Sequence, residues 1–224
     1  MMKESKKMIL PMIFLLLIIT TYILIGKNSS INQHMFFNNS FITLPLIFIT
    51  TGLITHKMST KDVRNIHKYA IIGFLIFLFI LALSSLLKGD EQTFYYRASL
   101  DFVFLPKNTT ALGISFAYPD FLKLTFFLAG YFVSQTTLVA LINSLKDFAP
   151  KTISFVISYL ISIILYVLVF TGLNNLILVL ANKLTFNEMI GNLTSYFIGS
   201  LLTCLMSIIV FAIISPFIKT NQNN

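Results

Sequence analysis

Three histidines, one cysteine and eight carboxylates are the side chains of this 224-residue chain best suited to moving protons, attacking a carbonyl or holding a metal. His34, His56 and His67 fall in polar gaps, and none has a carboxylate or nucleophile at a motif spacing. The sequence has no H-E-x-x-H, no G-x-S-x-G, no phosphate-cradling glycine loop and no glutamate pair of the intramembrane-protease kind. Cys204 stands alone in an apolar run, where it can form no internal disulfide and joins no Cys/His cluster of metal spacing. It reads as a small buried apolar residue. The expectation is a protein that is not an enzyme and needs no cofactor.

Two other patterns carry meaning. Ser59 lies three residues before Asp62, a capping-box spacing with Asp in place of Glu. A helix over about 58–68 would put Val63 and Ile66 on one face and Lys61, Arg64 and Lys68 on the others. Such a segment either rests on lipid headgroups as a basic lid or docks a cytoplasmic partner. The second pattern is a recurrence of small residues every four positions: Ser154, Ser158 and Ser162, and later Gly191, Ser195, Gly199, Thr203 and Ser207. On helices each series forms one stripe, which serves close packing in lipid or, on the sharper reading, walls a polar passage.

The elements that position these residues are six apolar runs, at about 8–26, 36–55, 69–87, 119–145, 153–181 and 189–218. Each has, or nearly has, the ~20 residues a helix needs to cross ~30 Å of hydrocarbon. Apolar residues make up 56% of the chain and charged residues 11%, which rules out an ordinary soluble domain. The predicted fold is all-α: one polytopic transmembrane domain over 1–224, with six helices. With the N-terminus inside, ten Lys and Arg fall on the cytoplasmic side against six outside, three of those six in one long loop and a fourth, Lys123, just beyond it. Long loops weigh little in the positive-inside rule, so both termini are expected in the cytoplasm. The net charge of +8 is then explained by topology and anionic lipid, with no nucleic-acid partner.

Finer expectations follow for the connections. The first run continues too far, and lacks a small-x-small site, to be a cleaved signal peptide. Pro45 and Gly52 make the second span the weakest. The external loop 88–118 holds an apolar, aromatic segment at 94–105, with Arg97 and Asp101 four apart, which suits an interfacial or partly re-entrant helix ended by Pro106. Pro119 and Asp120 suit the first turn of the fourth span. The fifth run is too long for one crossing, and Gly172 with Asn174 and Asn175 predicts a helix break there and a short segment dipping back at the outer surface. Residue usage rich in Lys, Asn, Ile and Phe suits an AT-rich bacterial genome, so the N-x-S/T triplets at Asn28, Asn38, Asn108 and Asn192 are chance matches.

Every Asp and Glu falls at the end of a run or in a loop, which argues against coupling to protons or ions. Six spans, both ends inside, a basic amphipathic helix before the third span and an irregular outer segment at 172–191 together resemble the membrane subunit of an ABC-2-type ABC transporter. The resemblance is closest to the small permeases of bacterial peptide or bacteriocin export and immunity systems, and it covers nearly the whole chain as architecture. It implies a bacterial plasma-membrane protein with two partners: a separate cytoplasmic ATPase, docked at Lys61, Asp62, Arg64 and Lys68, and a second permease subunit. It also implies an amphipathic peptide or hydrophobic compound as cargo. The chain departs from that pattern in its long loop between spans three and four and in lacking a signature string. Two other classes fit the same length: a membrane immunity or accessory protein binding a peptide at the outer leaflet through 94–105, and a substrate-binding subunit of an energy-coupling importer. The latter usually carries alanine docking motifs that this chain lacks.

Overall fold

Helices form along the apolar runs even where a proline lies inside, as Pro11 does in the first and Pro45 in the second. The computed structural model describes residues 4–25, 28–30, 36–38, 40–86, 118–180, 182 and 184–217. Helix α1 covers Glu4–Ile25, α2 Ser40–Thr55, α3 Thr60–Leu86 and α4 Tyr118–Leu145. Helix α5, Lys151–Val167, passes through a π-turn at Leu168–Gly172 into α6, Leu173–Leu180. Helix α7, Phe186–Ile214, ends in a tight turn at Ser215–Phe217. The expected loop 88–117, with its interfacial helix and the 94–105 segment, lies outside the described residues, as does His34.

Four stretches are long and apolar enough to cross a membrane: Thr60–Ile80, Leu124–Leu145, Lys151–Leu180 and Phe186–Ile214. Ile9–Ile25 and Ser40–Thr55 are shorter apolar helices. The second run was expected to be helical from 36, but Phe36–Asn38 is instead strand β2, paired antiparallel with β1, Asn28–Ser30. The physical reason is local: two phenylalanines suit an extended chain, while two asparagines and a serine favour turns and caps over helix interiors. This leaves α2 16 residues, ~24 Å in length.

A second expectation is corrected at Gly172. The chain does not break there: Leu173 has φ −67° and ψ −39°, and the helix continues through the π-turn to Leu180. A glycine inside a helix costs ~1 kcal/mol. Exposing several backbone groups among apolar neighbours costs more, because each orphaned group is worth ~1–3 kcal/mol. The chain reverses further on, where Asn182 adopts a left-handed φ of 54°. Thr185 then caps α7 in a reciprocal box with Glu188, its Oγ1 accepting from the Glu188 amide at 3.3 Å while Glu188 Oε2 accepts from the Thr185 amide at 2.8 Å.

The helices bury aromatic and branched side chains against one another. Helix α1 packs on α2 and α3; α4 packs chiefly on α5; α7 lies across α5 and α2. Phe14, Phe48, Phe74, Phe127, Tyr159 and Phe211 are fully buried or nearly so. Gly52 lets α2 approach this core closely, since a Cβ there would lie 2.5 Å from the Phe155 ring, which stacks on Phe211 at 3.9 Å. The outside is apolar too. Leu16, Phe79, Phe132, Leu205, Met206 and Ile213 are each more than half exposed. Apolar surface on that scale needs an apolar solvent or a partner.

Candidate functional site

The basic segment before the third span is the start of α3 itself. Ser59 caps it: the Asp62 amide donates to Ser59 Oγ at 3.2 Å, and that hydroxyl donates to Asp62 Oδ2 at 3.0 Å. Asp62 thus serves the cap. Val63 and Ile66 are buried, while Lys61, Arg64 and Lys68 are exposed. Asn143 ties this end to α4 by donating to Thr60 Oγ1 at 2.9 Å, and Lys146 Nζ donates to Asn143 Oδ1 at 3.2 Å. His56 sits in the adjoining turn, and burial first, then the charges of Lys151 and Lys146, hold its imidazole below the usual range. The turns 56–59 and 146–150 therefore share one strongly basic end of the molecule.

Inward from that end lies a polar network that a reading by composition misses. His67 was assigned to a polar gap, but it is buried between α2, α3 and α4. Its Nδ1 is 2.6 Å from Tyr131 Oη and its Nε2 3.3 Å from Thr51 Oγ1; Thr51 Oγ1 is 2.7 Å from Gln135 Oε1. Gln135 Oε1 can only accept, so Thr51 donates to it. With its one hydrogen committed, Thr51 accepts from His67 Nε2–H. His67 Nδ1 then accepts from Tyr131. The network runs Tyr131→His67→Thr51→Gln135, uses each hydrogen once and carries no net charge. It leaves the Gln135 Nε2 donor without a partner. The signal for it lay in the spacing Val63, Ile66, His67, Ala70, Phe74, which puts His67 on the apolar face of α3.

The small-residue series separate. On α5, Ser154, Ser158 and Ser162 are fully buried, and Ser154 Oγ donates to the Ile142 carbonyl of α4 at 3.4 Å. The α5 series is longer than three serines: Tyr166, Thr171 and Asn175 extend it, in steps of four except for a step of five across the π-turn. An i→i+5 turn takes up that extra residue, so the row stays on one face. All six residues are at most 5% exposed. Seven buried side-chain polar atoms have no partner among the described residues, and five belong to this row: Ser158 Oγ, Ser162 Oγ, Tyr166 Oη, Thr171 Oγ1 and Asn175 Nδ2. Thr20, Thr21, Thr50 and Thr136 instead donate to carbonyls one turn back, the usual resort of a helical hydroxyl.

On α7, Gly191 is open, with nothing within 4 Å of where a Cβ would sit, and Ser195 donates to the Gly191 carbonyl at 3.0 Å. Gly199 meets the Phe41 ring, Thr203 donates to the Ser200 carbonyl at 3.0 Å, and Ser207 is buried 3.4 Å from Tyr159 Oη. In this series Gly199 and Ser207 are buried against α2 and α5, whereas Gly191 and Ser195 are not buried. Among the described residues no three His, Cys, Asp or Glu side chains gather as metal ligands, and Cys204 is a buried free thiol. Comparison with known protein families, with curated proteins and with solved structures found no match to this chain.

Proposed function

We propose that the chain is a multi-pass protein of the bacterial plasma membrane, with six crossings and both termini cytoplasmic. It forms the membrane-spanning half of an ATP-driven exporter of the ABC-2 type. The observation that carries this reading is the buried row Ser154, Ser158, Ser162, Tyr166, Thr171 and Asn175. An unpartnered polar atom in an apolar bundle costs ~1–3 kcal/mol, whereas a polar contact between membrane helices contributes ~0.6 kcal/mol on average. Helix packing alone is thus a poor reason to retain five of them. Water or the amide and hydroxyl groups of a passing amphipathic molecule would satisfy them, which suits a wall that opens during transport. Helix α4 covers the row in the state described, through Ile142 beside Ser154 and Gly130 beside Tyr166. Opening it requires α4 and α5 to part, as rocking of two permease halves would do.

The energy must come from outside the chain. In Leu124–Leu145 no residue is charged, and in the other spanning stretches the charges fall only near the first turns: Lys61 to Lys68, Lys151 and Glu188. A cytoplasmic ATPase engaging the exposed Lys61, Arg64 and Lys68 would push directly on α3, since the capped segment and the spanning helix are one continuous rod. Purification of the full chain from its native membranes should recover an ATPase in fixed ratio, and the triple variant Lys61→Glu, Arg64→Glu, Lys68→Glu should lose at least nine-tenths of it. Recovery of the same ATPase activity with the charge-reversed chain would refute the dock.

A further inference from the structure

Helices α3 and α4 leave a cavity of about 350 Å³ between them. Its size falls within the ~300–1,000 Å³ of ordinary small-molecule sites. Arg64, Lys68, Ile71, Ile72, Phe132 and Gln135 are among its lining residues, and no acidic residue is. The two helices run antiparallel here, because Asn143 meets Thr60 while Tyr131, more than three turns earlier on α4, meets His67. The cavity is therefore graded. Arg64 and Lys68, both exposed, stand toward the basic end, whereas Ile71, Ile72 and Phe132 lie one to two turns further along. Gln135 lines it at 3% exposure.

Cations at one end and an apolar trough at the other describe an amphipathic anion. The opening is flanked by Ile72 and Phe132, which are exposed to whatever surrounds the helices. We propose that this cavity is a lateral site for one acyl chain of an anionic phospholipid, with Arg64 and Lys68 at its basic end on the phosphate. Basic pockets between membrane helices on the cytoplasmic side recognise anionic headgroups in this way. Only the membrane placement of α3 and α4 is required, so the site stands or falls separately from transport.

The test uses full-length protein, delipidated in detergent and incubated with phosphatidylglycerol or phosphatidylcholine of matched chains, with retained lipid counted by native mass spectrometry. The wild type should retain one phosphatidylglycerol at least tenfold more than phosphatidylcholine. Arg64→Gln with Lys68→Gln should bring the two lipids level. Ile72→Trp, at an exposed position of the mouth, should lower retention of phosphatidylglycerol although both cations remain. Lys61→Gln, which removes an equally exposed charge outside the cavity, should change nothing. Equal retention of both lipids by the wild type would overturn the site. So would an equal loss in Lys61→Gln, unchanged retention in Ile72→Trp, or a second copy of the chain recovered in place of lipid. Ile72→Trp leaves all three docking cations intact and Lys61→Glu leaves the cavity intact, so failure of the lipid site and failure of the ATPase dock are told apart.

Discussion

Thr51 has one hydroxyl hydrogen and polar neighbours on two other helices, and that imbalance sets the tautomer of a neutral His67 ring. Replacing Thr51 by Val strands both the His67 Nε2–H and the Gln135 carbonyl oxygen, at ~1–3 kcal/mol for each group left unsatisfied. Replacing Gln135 by Leu removes an amide that already carries an orphan donor, and Thr51 then turns to the Ile47 carbonyl, 2.9 Å away. Equilibrium unfolding in bicelles should therefore show Thr51→Val costing ~2–3 kcal/mol and Gln135→Leu under ~1 kcal/mol. Equal costs would mean that the donor order derived above is wrong. Composition over residues 56–68 hides all of this, because three lysines and one arginine there make the segment polar on average. Burial is decided by face. Every third or fourth residue from Val63 to Phe74 is apolar or His67, and that periodicity holds the information.

At the level of elements, the cap at Ser59 and the helix following it were legible because capping depends on two side chains three residues apart. The shape of the α5–α6 unit was not. A glycine and two asparagines read as a break, but whether a helix opens depends on what would receive its freed backbone groups. Here the surroundings are apolar, and the chain keeps its hydrogen bonds by widening one turn. Because a π-turn holds one residue more than an α-turn, removing an exposed residue from it should restore a plain helix and keep Thr171 and Asn175 on the row. Deletion of Leu168, which is 54% exposed, is expected to leave the thermal midpoint in detergent within a few degrees of wild type. Insertion of an alanine at the same place would turn Thr171 and Asn175 ~100° off the face and should lower the midpoint markedly. If the deletion were the more damaging change, the turn would be doing something other than preserving register.

For the molecule as a whole, hydropathy alone announced long helices in an apolar setting, and charge counting put the basic turns together at one end. Residues Thr60 and Asn143, joined by a hydrogen bond, now mark that end. Periodic small residues pointed to α5 and α7 but did not separate them, since the partner of each stripe is set by tertiary packing. Only the α5 row collects orphaned polar atoms, and only it continues through Tyr166, Thr171 and Asn175. The claim that this row faces an aqueous route is the centre of the account. Its most direct test is thiol accessibility in membrane vesicles supplied with ATP, in a Cys204→Ala background. Single cysteines at Ser158, Ser162, Thr171 and Asn175 would be compared with cysteines at the outward-facing Ile161 and Leu176. The account predicts that a charged, water-soluble methanethiosulfonate modifies the row positions at least tenfold faster than the outward-facing pair. Row positions as unreactive as Ile161→Cys and Leu176→Cys would contradict it and leave the row as a packing seam.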